Sequence, residues 1–277
     1  MQDGMAYVML SRCASLSDIY ILGDFAATGI RCNSFAKVVS AALDDAFDAR
    51  VAQEEEDWNN SIAVSYLNVR SIASLNTSIL EVPREEILVR SRIFALGETC
   101  LPEGEERKLP GFHDYYQSNC KENAKGKGLA VYCKEEMIVK KFSSKLGTAS
   151  AILVEDLKIN VISMYLSKGF DWNELQFVLA SWISSVKPTV VIGDMNWHFD
   201  DNHPMKTYLL KRGFSQLIQR ATHEAGHKID HLYISDTLKE KFTYKILHSS
   251  VHFSDHDIIG IQLFEKSHCD HMEVSEK

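Results

Sequence analysis

The chain has 277 residues, 45% hydrophobic and 25% charged, a balance that excludes a disordered polypeptide and is large enough for a buried core. A formal net charge of -8 excludes an overall basic field that would draw the protein onto nucleic acid unaided, so any such binding must be local or cation-assisted. No apolar run approaches the ~18 residues that span a bilayer, and Met1-Gln2-Asp3-Gly4 lacks the basic start of a secretory leader, so no membrane role is expected.

The six cysteines (Cys13, Cys32, Cys100, Cys120, Cys133, Cys269) contain no CxxC pair. Neither a zinc site nor a disulfide framework is suggested, and reduced thiols fit an intracellular setting, for which a nuclear location is the expectation. In chain order, Ala6–Leu10 and Ile19–Leu22 are short strand-like runs, and Phe35 to Phe47 spaces apolar residues at helical intervals. The stretch Tyr7-Val8-Met9-Leu10-Ser11-Arg12-Cys13, continuing to Gly23, resembles the closing motif of PIF1-type superfamily 1 DNA helicases, including those of Helitron-like transposons. That resemblance implies that residues 1–50 are a helicase-derived appendage. No GxxxxGKS/T phosphate loop accompanies it, so helicase activity is not expected.

Residues 51–61 form an acidic linker, after which Ile62 to Phe264 alternates short strands with helices. Strands are predicted at Ile62–Asn68, Ile93–Leu96, Leu129–Cys133, Ile159–Ser163, Thr189–Ile192, Ile229–Ile234 and Ile258–Leu263. Trp172 to Val186 reads as an amphipathic helix, with Leu175, Val178, Leu179, Trp182 and Val186 on one face, Asp171 as N-cap and Pro188 as stop. The polar tail, residues 265–277, is expected to be disordered.

Chemistry-bearing residues gather where predicted strands end. Val190-Val191-Ile192-Gly193-Asp194-Met195-Asn196 is an apolar strand that breaks at glycine and delivers Asp194 and Asn196 two positions apart, able to share a cleft. Glu98 follows the apolar run Ile93–Leu96, a place where a carboxylate can offer oxygen to a hard cation without full burial. Asp230 shares a face with apolar Leu232 and therefore needs a partner such as histidine or a metal. Ser254-Asp255-His256 stands just before the last predicted strand.

Together with Asn68 at the end of the first strand, the order Asn, Glu, Tyr, Asp-x-Asn, Asp, Ser-Asp-His resembles the endonuclease/exonuclease/phosphatase superfamily, which includes DNase I-like nucleases. The resemblance implies an α+β fold, a four-layer αββα sandwich over residues 62–264, and a Mg2+-dependent phosphodiester hydrolase with Mn2+ as the alternative ion. It implies Asn68, Glu98 and Asp255 around the metal, Asp194 readying water, and Asn196 on a phosphate oxygen. His256 would be paired with Asp230, and Tyr165 would contact phosphate. Lys168 and His223 are the further substrate-binding candidates, His223 reading equally well as a stabiliser of its own loop.

The expected partner is nucleic acid, with DNA preferred. RNA, a phosphoinositide, or a catalytically silent binding scaffold are the alternatives. Two departures bear on specificity: Tyr165 is followed by Leu166-Ser167-Lys168-Gly169 where many nuclease relatives have Pro-Asn, and the Asn196–Asp230 segment is short compared with AP endonucleases. A general nuclease is expected in preference to an abasic-site enzyme.

Overall fold

The computed structural model describes residues 50, 52, 55–72, 87, 90–102, 105–109, 111–117, 128–142, 149–155, 158–167, 170–251 and 253–266. The helicase-like stretch, Lys168 and the chain beyond Lys266 lie outside the described residues. The chain divides into two compact units, residues 1–59 and 60–277. The described part of the first is a helical segment ending at Asn59. No helix among the described residues is long and apolar enough to cross a membrane.

The second unit contains twelve strands among its described residues: β1 (Ile62–Asn68), β2 (Ile93–Gly97), β3 (Phe112–Gln117), β4 (Leu129–Lys134), β5 (Val139–Phe142), β6 (Ala149–Val154), β7 (Ile159–Tyr165), β8 (Thr189–Asp194), β9 (Phe214–Gln216), β10 (Asp230–Ser235), β11 (Phe242–Ser249) and β12 (Ile258–Glu265). Three helices lie wholly within the described residues, α1 (Trp172–Trp182), α2 (Pro204–Leu210) and α3 (Asp236–Lys241), and Ile87 and Arg90 are also helical. The strands form two six-stranded sheets, ordered β11-β12-β1-β2-β4-β3 and β5-β6-β7-β8-β10-β9. Each sheet is mixed, with β1 parallel to β2 and β7 parallel to β8 among otherwise antiparallel pairs.

Period-two alternation explains how the sheets pack. Val64 and Tyr66 of β1, Val161 of β7, Val190 and Ile192 of β8, and Leu232 and Ile234 of β10 belong to one buried cluster, so the sheets meet face to face. The intervening residues turn outward: Ile162, Val191 and Tyr233 pack with Leu175, Leu179 and Trp182 of α1 and with Met205, Tyr208 and Leu209 of α2. On the other sheet, Leu67, Phe94, Leu96 and Tyr132 are covered by Ile72, Leu101 and Leu109, with Ile87 against them. The result is the expected α+β sandwich.

The seven predicted strands all appear, most of them one or two residues longer than their apolar runs. The helix expected over Trp172 to Val186 stops at Trp182. Asp171 caps it as anticipated, its side chain accepting from Asn173 N. At the other end Ile183 turns to extended backbone, and the Ser184 hydroxyl accepts from Val186 N, the local side-chain bonding by which serine competes with helix. Val186, placed on the apolar face by the sequence pattern, is therefore 74% exposed.

One glycine sets the approach of β7 to β8. A Cβ at Gly193 would run into the backbone carbonyl of Met164, so only glycine permits the pairing that places Tyr165 opposite Asp194. The Gly193→Ala variant is expected to lose roughly 1–3 kcal/mol by overpacking. Urea unfolding checks this, and an unchanged midpoint would contradict the close approach.

Candidate active site

The same alternation carries polar residues to one rim of the inter-sheet core. Asn68 continues the inward face of Val64 and Tyr66, Asp194 that of Val190 and Ile192, Tyr165 that of Val161, and Asp230 that of Leu232. Asp194 pairs in register with Tyr165 on one side and Asp230 on the other, which gathers three residues of one sheet. Asn68 joins them from the opposite sheet. Its Nδ2 donates to Asp194 Oδ2 at 2.9 Å and to Glu98 Oε2 at 3.1 Å. Its Oδ1 accepts from Arg70 N at 2.9 Å, and its carbonyl oxygen accepts from the Ser254 hydroxyl at 2.6 Å.

Beyond the strands the backbone is bent sharply to aim these groups. Asp194 Oδ1 accepts from Asn196 N at 2.8 Å, closing a turn in which the Asn196 Nδ2 also donates to Asp194 Oδ2 at 3.4 Å. Asn196 has φ 54°, a conformation asparagine tolerates. Arg70 and Glu98, at φ 55° and 53°, have no such excuse. Left-handed backbone at bulky residues persists where surrounding contacts over-determine it, and here it coincides with the polar rim.

His256 completes the cluster. Its Nδ1 lies 2.9 and 3.2 Å from the two Asp230 carboxylate oxygens, and its backbone N donates to Ser254 Oγ at 3.1 Å. Burial by itself would lower the imidazole pKa. The hydrogen bond and charge of Asp230, aided by Asp194 and Asp255, outweigh it and raise the value to about 9. Asp194 moves up as well, first through burial and then through the charge of Asp230, against the lowering effects of His256, Asn68 and Asn196 N–H. The rim thus pairs a cationic imidazole with a carboxylate of raised basicity.

Asp255 stands beside this pair. Its Oδ2 takes Arg70 Nη1 at 2.7 Å and His223 Nε2 at 3.2 Å, while its buried Oδ1 has no hydrogen-bond partner and lies 4.0 Å from His256 Nε2. His223 Nδ1 accepts from Ala225 N at 3.0 Å. The structure therefore brings Asn68, Glu98, Asp194, Asn196, Asp230, Asp255, His256 and His223 into one connected network, with Tyr165 beside it in register with Asp194. Arg70, Ser254 and Thr222 belong to it too, although sequence reasoning gave them no role. Thr222 accepts from Asp230 N at 3.2 Å, and nothing in the order of motifs signals that contact.

Among the described residues, two groups of side chains have ligand atoms close enough to share an ion: Asp194, Asp230 and His256, and His223, Asp255 and His256. In the first, Asp230 and His256 are already engaged with each other. The unpartnered Oδ1 of Asp255 and the half-buried carboxylate of Glu98 are hard oxygen donors, and this chemistry fits Mg2+ or Mn2+.

The sequence model of the Endonuclease/Exonuclease/phosphatase family matches residues 45–256, and the chain belongs to that family, whose members are typically hydrolases of phosphodiester bonds. Among solved structures it is similar to the AP endonuclease LMAP from Leishmania major, with 12% identity and a TM-score of 0.58 over 75% of this chain and 89% of that one. It is similar also to the endonuclease domain of TRAS1, a telomere-specific non-LTR retrotransposon, with 12% identity and a TM-score of 0.57 over 75% of this chain and 100% of that one. These likenesses establish the shared fold. No curated protein matches the chain in sequence.

Behind the rim, buried His231 holds the loop that follows Asn196, its Nε2 3.1 Å from the Trp197 carbonyl and its Nδ1 3.2 Å from the Tyr233 hydroxyl. Burial lowers its pKa from 6.5 to about 4, the hydrogen bonds opposing only in part. Between these values the unfolded chain binds a proton that the folded protein does not, so His231 favours folding above pH 6.5 and progressively less as pH falls toward 4. The expected loss is on the order of 3 kcal/mol. Urea unfolding across that range is expected to give a shallower acid slope for His231→Gln than for the unaltered protein, and identical slopes would contradict the assignment.

Proposed function

We propose that the protein is a divalent-cation-dependent phosphodiester hydrolase acting on nucleic acid, with DNA as substrate and an endonucleolytic mode of cleavage. The observation that carries this reading is the convergence at one rim of a carboxylate of raised basicity, Asp194, and a cationic imidazole, His256 on Asp230. A phosphodiester is anionic and repels nucleophiles. A base on one side of phosphorus and a cationic donor on another address the two parts of that barrier.

In this reading Asp194 orients an attacking water and accepts its proton, a task suited by its raised pKa. Asn68 and Asn196 N–H hold its two oxygens in place. His256 donates from Nε2 to a non-bridging phosphate oxygen, while Asp230 fixes the ring through Nδ1. Asn196 and Tyr165, the one bonded to Asp194 and the other beside it in register, supply further polar contacts to the phosphate.

Glu98 and Asp255 would hold the cation, which when bound supplies Lewis-acid stabilisation of charge developing on the phosphate. The family motif implies an oxygen ligand from Asn68. As oriented here, Asn68 presents its NH2 to Glu98 and Asp194 and its oxygen to Arg70 N, so we assign it the role of brace between the two carboxylates. The helicase-like resemblance of Tyr7 to Gly23 favours DNA and a mobile-element origin.

Purified protein with Mg2+ is expected to nick supercoiled plasmid, and Asp194→Ala and His256→Ala are each expected to slow nicking by a factor of about 10^2–10^3 or more with unchanged circular dichroism. A panel of plasmid, single-stranded DNA, RNA, abasic duplex and inositol phosphates separates the alternatives. Cleavage of RNA or inositol phosphates alone would replace the substrate, and DNA binding without turnover under Mg2+ and Mn2+ would replace the activity.

A further inference from the structure

His223 has both ring nitrogens committed. Its Nδ1 accepts the Ala225 N–H at 3.0 Å, so the ring proton sits on Nε2, which is 3.2 Å from Asp255 Oδ2. We propose that His223 is a positioning residue for the cation site, using Nε2–H to hold the Asp255 carboxylate so that Oδ1 remains the free ligand oxygen. The inference rests on the hydrolase reading above and concerns the same site.

The backbone around His223 is built for this task. His223 and His256 form an isolated antiparallel bridge, with Glu224 N donating to Asp255 O at 2.9 Å and Asp257 N to Thr222 O at 2.7 Å. The two imidazoles meet edge to face, 4.8 Å between centroids. On its other side Thr222 Oγ1 accepts from Asp230 N. Residues 222–224 thus splint the start of β10, which carries Asp230, to the segment that carries Asp255 and His256.

The turn behind the splint is compact. Thr222 N and His223 N both donate to the His227 carbonyl, at 2.9 and 3.2 Å, and Gly226 N donates to His223 O at 2.8 Å. Gly226 takes φ +81°, which only glycine adopts without cost, and nothing lies within 4 Å of where its Cβ would be. The Thr-His-x-x-Gly-His sequence is therefore explained by backbone demands at Gly226 and by two side chains that reach back to Asp230 and Asp255.

Arg70 is the other donor on Asp255 Oδ2, but its side chain is 63% exposed. An exposed guanidinium on a long stem fixes orientation weakly. His223 is tethered at both nitrogens and 19% exposed, so it sets the direction of the carboxylate. With Oδ2 doubly occupied, a cation is left with Oδ1, the oxygen without a partner. Groups that orient metal ligands in this way are typically worth 10–100-fold in affinity.

Two amide substitutions divide the functions of the ring. His223→Asn ends near the Nδ1 position, keeping an acceptor for Ala225 N–H and losing reach to Asp255. His223→Gln reaches the Nε2 position, keeping the donor to Asp255 and losing the loop contact. Calorimetric titration of the full chain with Mn2+, beside thermal unfolding, reads both. His223→Asn is expected to bind Mn2+ about tenfold more weakly with little change in midpoint, and His223→Gln within about twofold of the unaltered protein but with a lower midpoint. Unaltered binding by His223→Asn overturns the inference, as does loss of affinity in both variants in step with loss of stability. Absence of Mn2+ binding by the unaltered protein overturns the cation site itself, and this inference with it.

Discussion

The site depends on a hydrogen bond that crosses between sheets, from Asn68 Nδ2 on β1 to Asp194 Oδ2 on β8. Each sheet by itself presents only part of the chemistry: Tyr165, Asp194 and Asp230 on one, and the end of β1 with Glu98 beyond β2 on the other. The face-to-face core brings the strand ends to a common rim, and Asn68 then spends every polar atom of its side chain, and its carbonyl, on tying them together. A buried amide so fully satisfied is rigidifying, whereas one left half-paired would be costly.

Electrostatics follow from that assembly. Burial and the neighbouring Asp230 charge raise the Asp194 pKa, while His256, lodged on Asp230, is held cationic. The left-handed backbone of Arg70, Glu98 and Asn196 belongs to the same economy of form, turning the loops that follow β1, β2 and β8 inward so that their polar groups meet. The stability of the sandwich, supplied by clusters such as Val64, Ile192 and Leu232, maintains these unfavourable local states.

The interior of the fold was legible in the sequence because interior strands announce themselves as apolar runs. β1, β2, β4, β7, β8, β10 and β12 were all read this way. β3, β5, β9 and β11 were not: they lie at sheet edges, where β5 (Val-Lys-Lys-Phe) and β11 (Phe-Thr-Tyr-Lys-Ile-Leu-His-Ser) carry polar and exposed residues that mimic loops. β6 escaped notice although it is interior, since Ala149, Ser150 and Ala151 give its first half little strand character. Asp194, Asp230 and His256 were recognisable from motif order, but their supports were not. Ser254 reaches Asn68 across 186 positions and Arg70 reaches Asp255 across 185, separations that no local pattern encodes.

The central claim is that this rim, braced by Asn68, is where a divalent cation and a phosphodiester meet. Anomalous diffraction from crystals soaked in Mn2+ tests it most directly. The account predicts a strong peak within coordinating distance of Glu98 and Asp255, on the side facing His256. A peak confined to other carboxylates, or none at saturating Mn2+, would contradict it.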